Sequence, residues 1–322
     1  MPPIRVEVVH VGSAARDIAP EDPRGWRLGG GVTYAALTTA RLGLRTAAVV
    51  GVDKEASTAL ELEAMRDAGV DLLAVDLPEG PIFHNIETPT GRRQVSMAAG
   101  VPVEPVLLPS SWLASHSWSL VPVADEVPDA WVDVIPADAL VGVAWQGMLR
   151  RLVPGADVQR VAPSERAILR RADLVGLSHL DVSRETSLGD LGRFLHPGAR
   201  LLVTQGGQGG LLVTTDDDGP VEVLRYLPTA TDREVDPTGA GDTFLAALLA
   251  VLVRPSIAGS PGDSPARALR FAAAAGSLAV EDVGLAGVPD RTAVLIRRAR
   301  ERVRRAVVPS LTAQVGVEDP RQ

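Results

Sequence analysis

Short apolar runs alternate with segments of helical periodicity along most of this chain, and glycine or proline marks nearly every change. Residues 6–11 read as a first buried strand, rich in β-branched side chains. Three glycines at 29–31 open a stretch, 33–42, whose alanine and leucine content favours helix, and Gly43 stops it. Residues 47–50 predict a second short strand. Residues 55–68 carry Leu60, Leu62, Met65 and Ala68 among acidic positions, the pattern of an amphipathic helix ended by Gly69.

Residues 81–99 break this rhythm. The runs 82–87 and 92–98 flank the turn sequence Thr88-Pro89-Thr90-Gly91, which predicts a β-hairpin set apart from the main sheet. Beyond it, 140–144, 174–177 and 201–204 read as further core strands, with helical stretches such as 163–171 between them. The runs 211–215 and 221–226 flank Asp216-Asp217-Asp218-Gly219, a second hairpin. Three helices then close the chain, over 241–253, 265–280 and 291–307. Strand and helix in alternation predict an α/β protein with a largely parallel sheet covered by helices on both faces. No internal repeat divides the chain, and a single domain over 1–322 is expected.

Composition narrows the function. With 46% hydrophobic and 22% charged residues over 322 positions, the chain can bury a large core. No apolar run approaches the roughly 18 residues of a membrane span. The first five residues lack the order of a secretory signal. A cytoplasmic protein with no membrane partner is expected. With no cysteine there is no thiolate zinc site or cysteine nucleophile, and five scattered histidines leave any metal to oxygen ligands. The net charge of -8 weighs against a nucleic-acid partner, and the basic cluster from Arg297 to Arg305 reads as a solvated helix face.

The strongest chemical signal is Asp236-Pro237-Thr238-Gly239-Ala240-Gly241-Asp242-Thr243-Phe244, followed at once by an apolar helical run. Small residues at 239–241 let the backbone approach a ligand, and the helix they open turns free N–H groups and its positive dipole end toward it. An anion held there would sit beside the Asp242 carboxylate. A hydroxyl brought between them could lose its proton to Asp242 while its oxygen attacks phosphorus. A plain glycine-rich helix cap is the competing reading of the shorter Gly-x-Gly-Asp. Other nucleotide folds and hydrolases are excluded by missing residues. Lys54, the one lysine, follows no Gly-x-x-x-x-Gly loop, and Gly12-Ser13-Ala14-Ala15-Arg16-Asp17 lacks the later glycines of a dinucleotide fingerprint. Gly176-Leu177-Ser178-His179-Leu180 lacks the closing glycine of a nucleophile elbow.

The nine-residue run resembles the C-terminal signature of the PfkB/ribokinase family of carbohydrate kinases. The resemblance implies a three-layer αβα ribokinase-like fold with a small β lid, here near 14–28 and 81–99. It implies Asp242 as catalytic base, Gly239, Ala240 and Gly241 as anion hole, and Asp236 near a monovalent-cation (K+) site. Leu28-Gly29-Gly30-Gly31 through Gly43 is similar to the family's N-terminal Gly-Gly motif, so Gly29, Gly30, Gly31 and Tyr34 are expected in the substrate pocket. Gly12-Ser13-Ala14-Ala15-Arg16-Asp17 resembles its first-strand motif, in which the aspartate, here Asp17, grips substrate hydroxyls. Ala15 and Tyr34 stand where the family often carries asparagine, which weighs against ribose-like recognition.

Val203-Thr204-Gln205-Gly206 resembles the strand-end Thr-x-Gly that approaches ATP, so Thr204 and Gly206, with Ser178 and Ala275, are expected on the nucleotide side. Asp181 falls where the family carries an acid near Mg2+ and the phosphates. A plain helix-start acid is nearly as good a reading of it. Asn85 on the first hairpin strand and the stretch Gln146-Gly147-Met148-Leu149-Arg150 are candidates to face the acceptor. The Gly-Gly-Gly-x-Thr-Tyr entry and residues 275–284 look more similar to the myo-inositol kinase branch than to ribokinases. The implied activity is an ATP-dependent phosphotransferase acting on a small-molecule polyol, a sugar or cyclitol. Ribose, fructose, ketodeoxy-sugar and nucleoside acceptors, or a non-catalytic sensor, are the alternatives. The lid would allow a homodimer.

Overall fold

In the computed structural model, which describes residues 5–88, 91–216, 219–259, 264–298 and 303–306, the alternating pattern becomes a ten-stranded sheet. Its parallel part runs, in spatial order, β14 (Arg200–Thr204), β13 (Leu174–Ser178), β9 (Leu140–Ala144), β8 (Ser117–Leu120), β1 (Val8–Ser13), β4 (Thr46–Val52) and β5 (Val70–Asp76), strands being numbered along the chain. Antiparallel β15 (Gly210–Asp216), β16 (Gly219–Tyr226) and β17 (Val303–Ala306) extend the β14 edge. The α-helices are α1 (Gly31–Arg41), α2 (Leu60–Asp67), α3 (Ser110–Leu113), α4 (Ala167–Arg171), α5 (Leu188–Gly192), α6 (Ala240–Val253), α7 (Pro265–Ala279) and α8 (Arg291–Arg297).

Successive strand residues face opposite sides of a sheet, and here both sides are apolar. Val8, Ala48, Leu174, Leu202 and Leu224 pack into one layer with α1, α2, α6 and α7. Val9, Ala47, Val175, Leu201 and Val223 pack into the other with α4, α5 and the buried indoles of Trp112, Trp118, Trp131 and Trp145. This double burial explains why the core strands read as continuous apolar runs rather than alternating ones. The arrangement is the expected three-layer αβα fold. No helix among the described residues is long and apolar enough to cross a membrane.

Several expectations need correction. The last helix ends at Arg297 rather than at 307, because the β16 edge is open there and Val303–Ala306 pairs with it. An unpaired sheet edge recruits nearby β-prone chain whatever its helical periodicity. The basic cluster is accordingly no uniform solvated face: Arg297 is buried against Glu281 at 2.7 Å and Asp232 at 3.2 Å. Its members 299–302 lie outside the described residues. The helix expected over 55–68 breaks at Ala59, whose extended backbone separates a short turn, Ala56–Thr58, from α2. The helix expected over 163–171 forms only over Ala167–Arg171. Strands β5 and β8 escaped the reading. Ser117–Leu120 is only 4 residues with alternating serines, too little to carry a period.

A second, five-stranded sheet stands apart from the first: β11 (Ala156–Asp157), β7 (Gly91–Ala99), β6 (Pro81–Thr88), β2 (Ala15–Ile18) and β3 (Trp26–Gly29), in that order. The predicted hairpin forms its centre, with Pro81 opposite Ala99 and Thr88 opposite Gly91. A two-residue ribbon, β10 (Arg150–Arg151) against β12 (Gln159–Arg160), lies close by in the chain.

Candidate active site

The loop after β1, the start of α1, the turns after β9, β13 and β14, and the first turn of α6 surround a cleft of about 960 Å³. It is lined by Asp17, Gly30, Gly31, Tyr34, Asn85, Ser178, Asp181, Thr204, Gly206, Gly239, Ala240, Gly241 and Asp242, among others. Residues far apart in the chain meet because parallel strands all present their carboxyl ends on one side.

The α6 end is built by Gly239. Its φ of 76° is left-handed, and a side chain at this position would overlap the ring of Tyr34, so only glycine fits. The amides of Gly239, Gly241 and Asp242 have no partner among the described residues, whereas that of Ala240 donates to Pro237 O at 3.3 Å. All four residues line the cleft. The Asp242 side chain makes no hydrogen bond among the described residues, and a Cβ on Gly31 would lie 2.9 Å from its Oδ1. The bare α-carbon of Gly31 is what admits the carboxylate beside the first turn of α1. Burial pushes the Asp242 carboxyl up to about 6, with the Arg150 guanidinium pulling it down and the Asp181 carboxylate pushing it up.

Asp17, on β2, accepts from Asn85 Nδ2 at 3.0 Å, and Gln94 Nε2 donates to Asn85 Oδ1 at 2.8 Å. The chain of amides fixes one carboxylate oxygen and leaves the other beside Gly29. Burial, reinforced by the Asp236 carboxylate, raises the Asp17 carboxyl to about 6. Tyr34 is buried, and burial together with the carboxylates of Asp17, Asp236 and Asp242 holds its phenol well above its ordinary value.

Three of the expected site residues stand off the cleft wall. Gly29 is not itself part of the cleft wall, and Ala275 is fully buried in the core. On α7 it is Ala273, Gly276 and Ser277 that line the cleft. Asp236 also stands behind the wall, where it accepts from Thr238 N at 3.0 Å, Thr238 Oγ1 at 2.6 Å and Gly284 N at 3.2 Å, with Arg92 at 3.5 Å. Against the upward push of burial, these donors hold its carboxyl below the ordinary value. A carboxylate shaping this turn and facing a guanidinium does not fit the monovalent-cation role.

Asp181 closes a capping box. Its Oδ2 accepts from Ser178 N at 2.8 Å, and its Oδ1 accepts from Gln146 Nε2 at 3.0 Å. Among the described residues no group of three His, Cys, Asp or Glu could hold a metal. Magnesium carried mainly by donor phosphates and water would need no such group, and Asp181, which lines the cleft, would be the carboxylate to help hold it. Thr204 and Gly206 line the cleft at the end of β14, where His179 Nδ1 lies 3.2 Å from Thr204 O. Gln146, Leu149 and Arg150, from the stretch expected to face the acceptor, line the cleft, and so does Arg92, for which no role was expected. Arg92 reaches from the small sheet to Thr238 Oγ1 at 2.9 Å, a contact no local pattern could announce.

Residues 134–291, from the approach to β9 through α7, match the pfkB family carbohydrate kinase model. Over that stretch, just under half of its length, the chain is similar to a pfkB family carbohydrate kinase. A ribokinase of Arabidopsis thaliana is 39% identical over 97 residues, which is 30% of this chain and 23% of that protein. The solved structure of Arabidopsis thaliana ribokinase with ribose and ATP superposes with a TM-score of 0.65 at 21% identity, over 92% of this chain and 99% of that one. A pyrophosphate-dependent kinase of the ribokinase family, complexed with a pyrophosphate analog and myo-inositol, gives 0.63 at 18% identity over 89% and 98%. Across about nine tenths of its length the chain thus shares the ribokinase-like fold of these structures.

Proposed function

We propose that the chain transfers a phosphoryl group, from ATP in the first instance, to a hydroxyl of a small sugar or cyclitol. The observation that carries this reading is Asp242, a carboxylate without a hydrogen-bond partner among the described residues, in the first turn of a helix whose opening residues, with amides at 239 and 241 unpartnered among the described residues, line the same cleft. Asp17, steadied by Asn85, and the 30–31 backbone orient the acceptor. Asp242 takes the proton as the hydroxyl oxygen attacks. The amides of Gly239 and Gly241 meet charge on the transferring group, where preorganised donors are worth most. Thr204, Gly206 and Ser178 border the donor. Magnesium held with the help of Asp181 would supply charge neutralisation on the donor phosphates. The small sheet acts as a lid that excludes water. Paired through that lid, two copies would form the dimer.

The test is a phosphotransfer screen of myo-inositol, ribose, fructose, 2-keto-3-deoxygluconate and nucleosides, each with ATP and with pyrophosphate, since one structural relative uses the latter. Donor consumption with one acceptor class, at least tenfold above the rest, is expected. Tight polyol binding without turnover for any pair would replace the kinase with a sensor.

The carboxyl values near 6 also predict a pH profile. A base works only when ionised, and Asp242 is ionised above about pH 6. The logarithm of kcat/KM is therefore expected to climb with a slope of at least one below about pH 6 and to level off above it. Asp17 titrates in the same range, so a steeper limb marks a requirement for both carboxylates. A flat profile from pH 5 to 7 would remove Asp242 as the base.

A further inference from the structure

One pair of charges in the cleft is left unexplained by the scheme above. In the ribbon formed by β10 and β12, Arg150 stands directly opposite Arg160, and like charges facing each other across a strand pair are destabilising. Both residues line the cleft.

Their circumstances differ from those of the other cleft arginines. Arg93 is paired with Asp157 at 2.8 Å, and Arg92 with Thr238 and Asp236. Arg150 has a side chain only 19% exposed, yet its nearest carboxylate oxygen, Asp181 Oδ1, is 3.9 Å away. That oxygen already accepts from Gln146 at 3.0 Å. Neither the Arg150 nor the Arg160 side chain has a hydrogen bond among the described residues. Burial pulls the Arg150 guanidinium below its ordinary value, and the carboxylates of Asp181, Asp242 and Asp17 oppose that. A desolvated guanidinium offers five N–H donors in a planar fork that matches phosphate and carboxylate oxygens. Among the described residues no protein group answers that fork within hydrogen-bond distance. A ligand oxyanion between the two arginines would answer the donors of Arg150 and the repulsion between the pair.

We propose that Arg150, with Arg160 facing it, is an oxyanion-binding site in the cleft, built for a phosphate or carboxylate group beside Asp242. The proposal rests on the phosphotransfer reading for the origin of the anion, which is either the transferring phosphoryl group or an anionic group on the acceptor. The site itself is testable without turnover.

The experiment titrates inorganic phosphate and pyrophosphate into the wild type and into Arg150→Gln, Arg160→Gln and Arg151→Gln, the last on the same ribbon outside the cleft. Binding at least tenfold weaker is expected for Arg150→Gln, a smaller loss for Arg160→Gln, and none for Arg151→Gln. Thermal midpoints of the first two variants are expected to equal or exceed that of the wild type, because a charge without a hydrogen bond has been removed. A merely structural arginine would lower them.

Turnover then names the source. A kcat loss shared by every acceptor assigns the anion to the transferring phosphoryl, and a KM rise confined to sugar acids or sugar phosphates assigns it to the acceptor. Phosphate and pyrophosphate that bind all four proteins alike, or none, would overturn the proposal. Active enzyme indifferent to Arg150→Gln sinks the site and leaves the kinase reading, whereas anion binding lost in Arg150→Gln with no turnover in any protein does the reverse.

Discussion

Replacing Asp242 with asparagine is expected to lower kcat about 100- to 10,000-fold, the range over which a positioned general base acts. The amide keeps the shape of the side chain and leaves the Gly239 and Gly241 donors in place, so donor and acceptor KM should stay within a few-fold of wild type. Stability should move the other way. The Asp242 carboxyl is raised from 3.8 to about 6 in the folded protein, so the fold binds its proton more tightly than the unfolded chain does. The wild type therefore loses stability as pH rises from about 4 to about 6, and its ionised carboxylate remains a cost above that. The Asp242→Asn variant carries no such cost, which corresponds to as much as about 3 kcal/mol at pH 7 and less where water in the cleft solvates the charge. Loss of turnover with a higher thermal midpoint at pH 7 and an unchanged one at about pH 3.5 is the expected pattern. Near-normal turnover in Asp242→Asn would end the mechanism.

Gly239→Ala is expected to lose both activity and stability. Alanine in left-handed backbone costs about 1–2 kcal/mol, and the new methyl overlaps the Tyr34 ring. The loop must shift, because Tyr34 is buried and cannot leave. A total loss of roughly 2–5 kcal/mol is expected, with kcat down about 100- to 1,000-fold as the amides of the turn lose their aim. The companion variant Tyr34→Ala with Gly239→Ala separates the causes. It relieves the overlap but not the left-handed φ, so the stability loss is expected to be smaller than the sum of the two single losses while kcat stays low. Wild-type kcat in Gly239→Ala would show that the turn does not hold the reacting group.

Much of this was legible in the chain itself. Buried strands announce themselves as β-branched runs, and the α6 motif packs its small residues, acid and apolar helix into consecutive positions, so local rules suffice to find them. The same holds for the hairpin 82–98, where the turn residues are contiguous. Legibility failed where the deciding partner is distant. Whether residues 303–306 are helix or strand depends on an open edge at β16. The duties of Asp236 and Asp181 depend on which donors surround them, and both carboxylates turn out to be engaged in shaping turns.

What local chemistry alone determined, then, is the αβα class, the position of the glycine-opened helix and the carboxylate in its first turn. What tertiary structure decided is which groups share the cleft. Parallel strands from distant parts of the chain bring Asp17, Arg150, Asp181 and Asp242 together. Only then do burial and neighbouring charge acquire values that shift a carboxyl toward 6 or leave a guanidinium without a hydrogen bond. Such energies depend on distance and local dielectric, and neither is written in the order of residues along the chain.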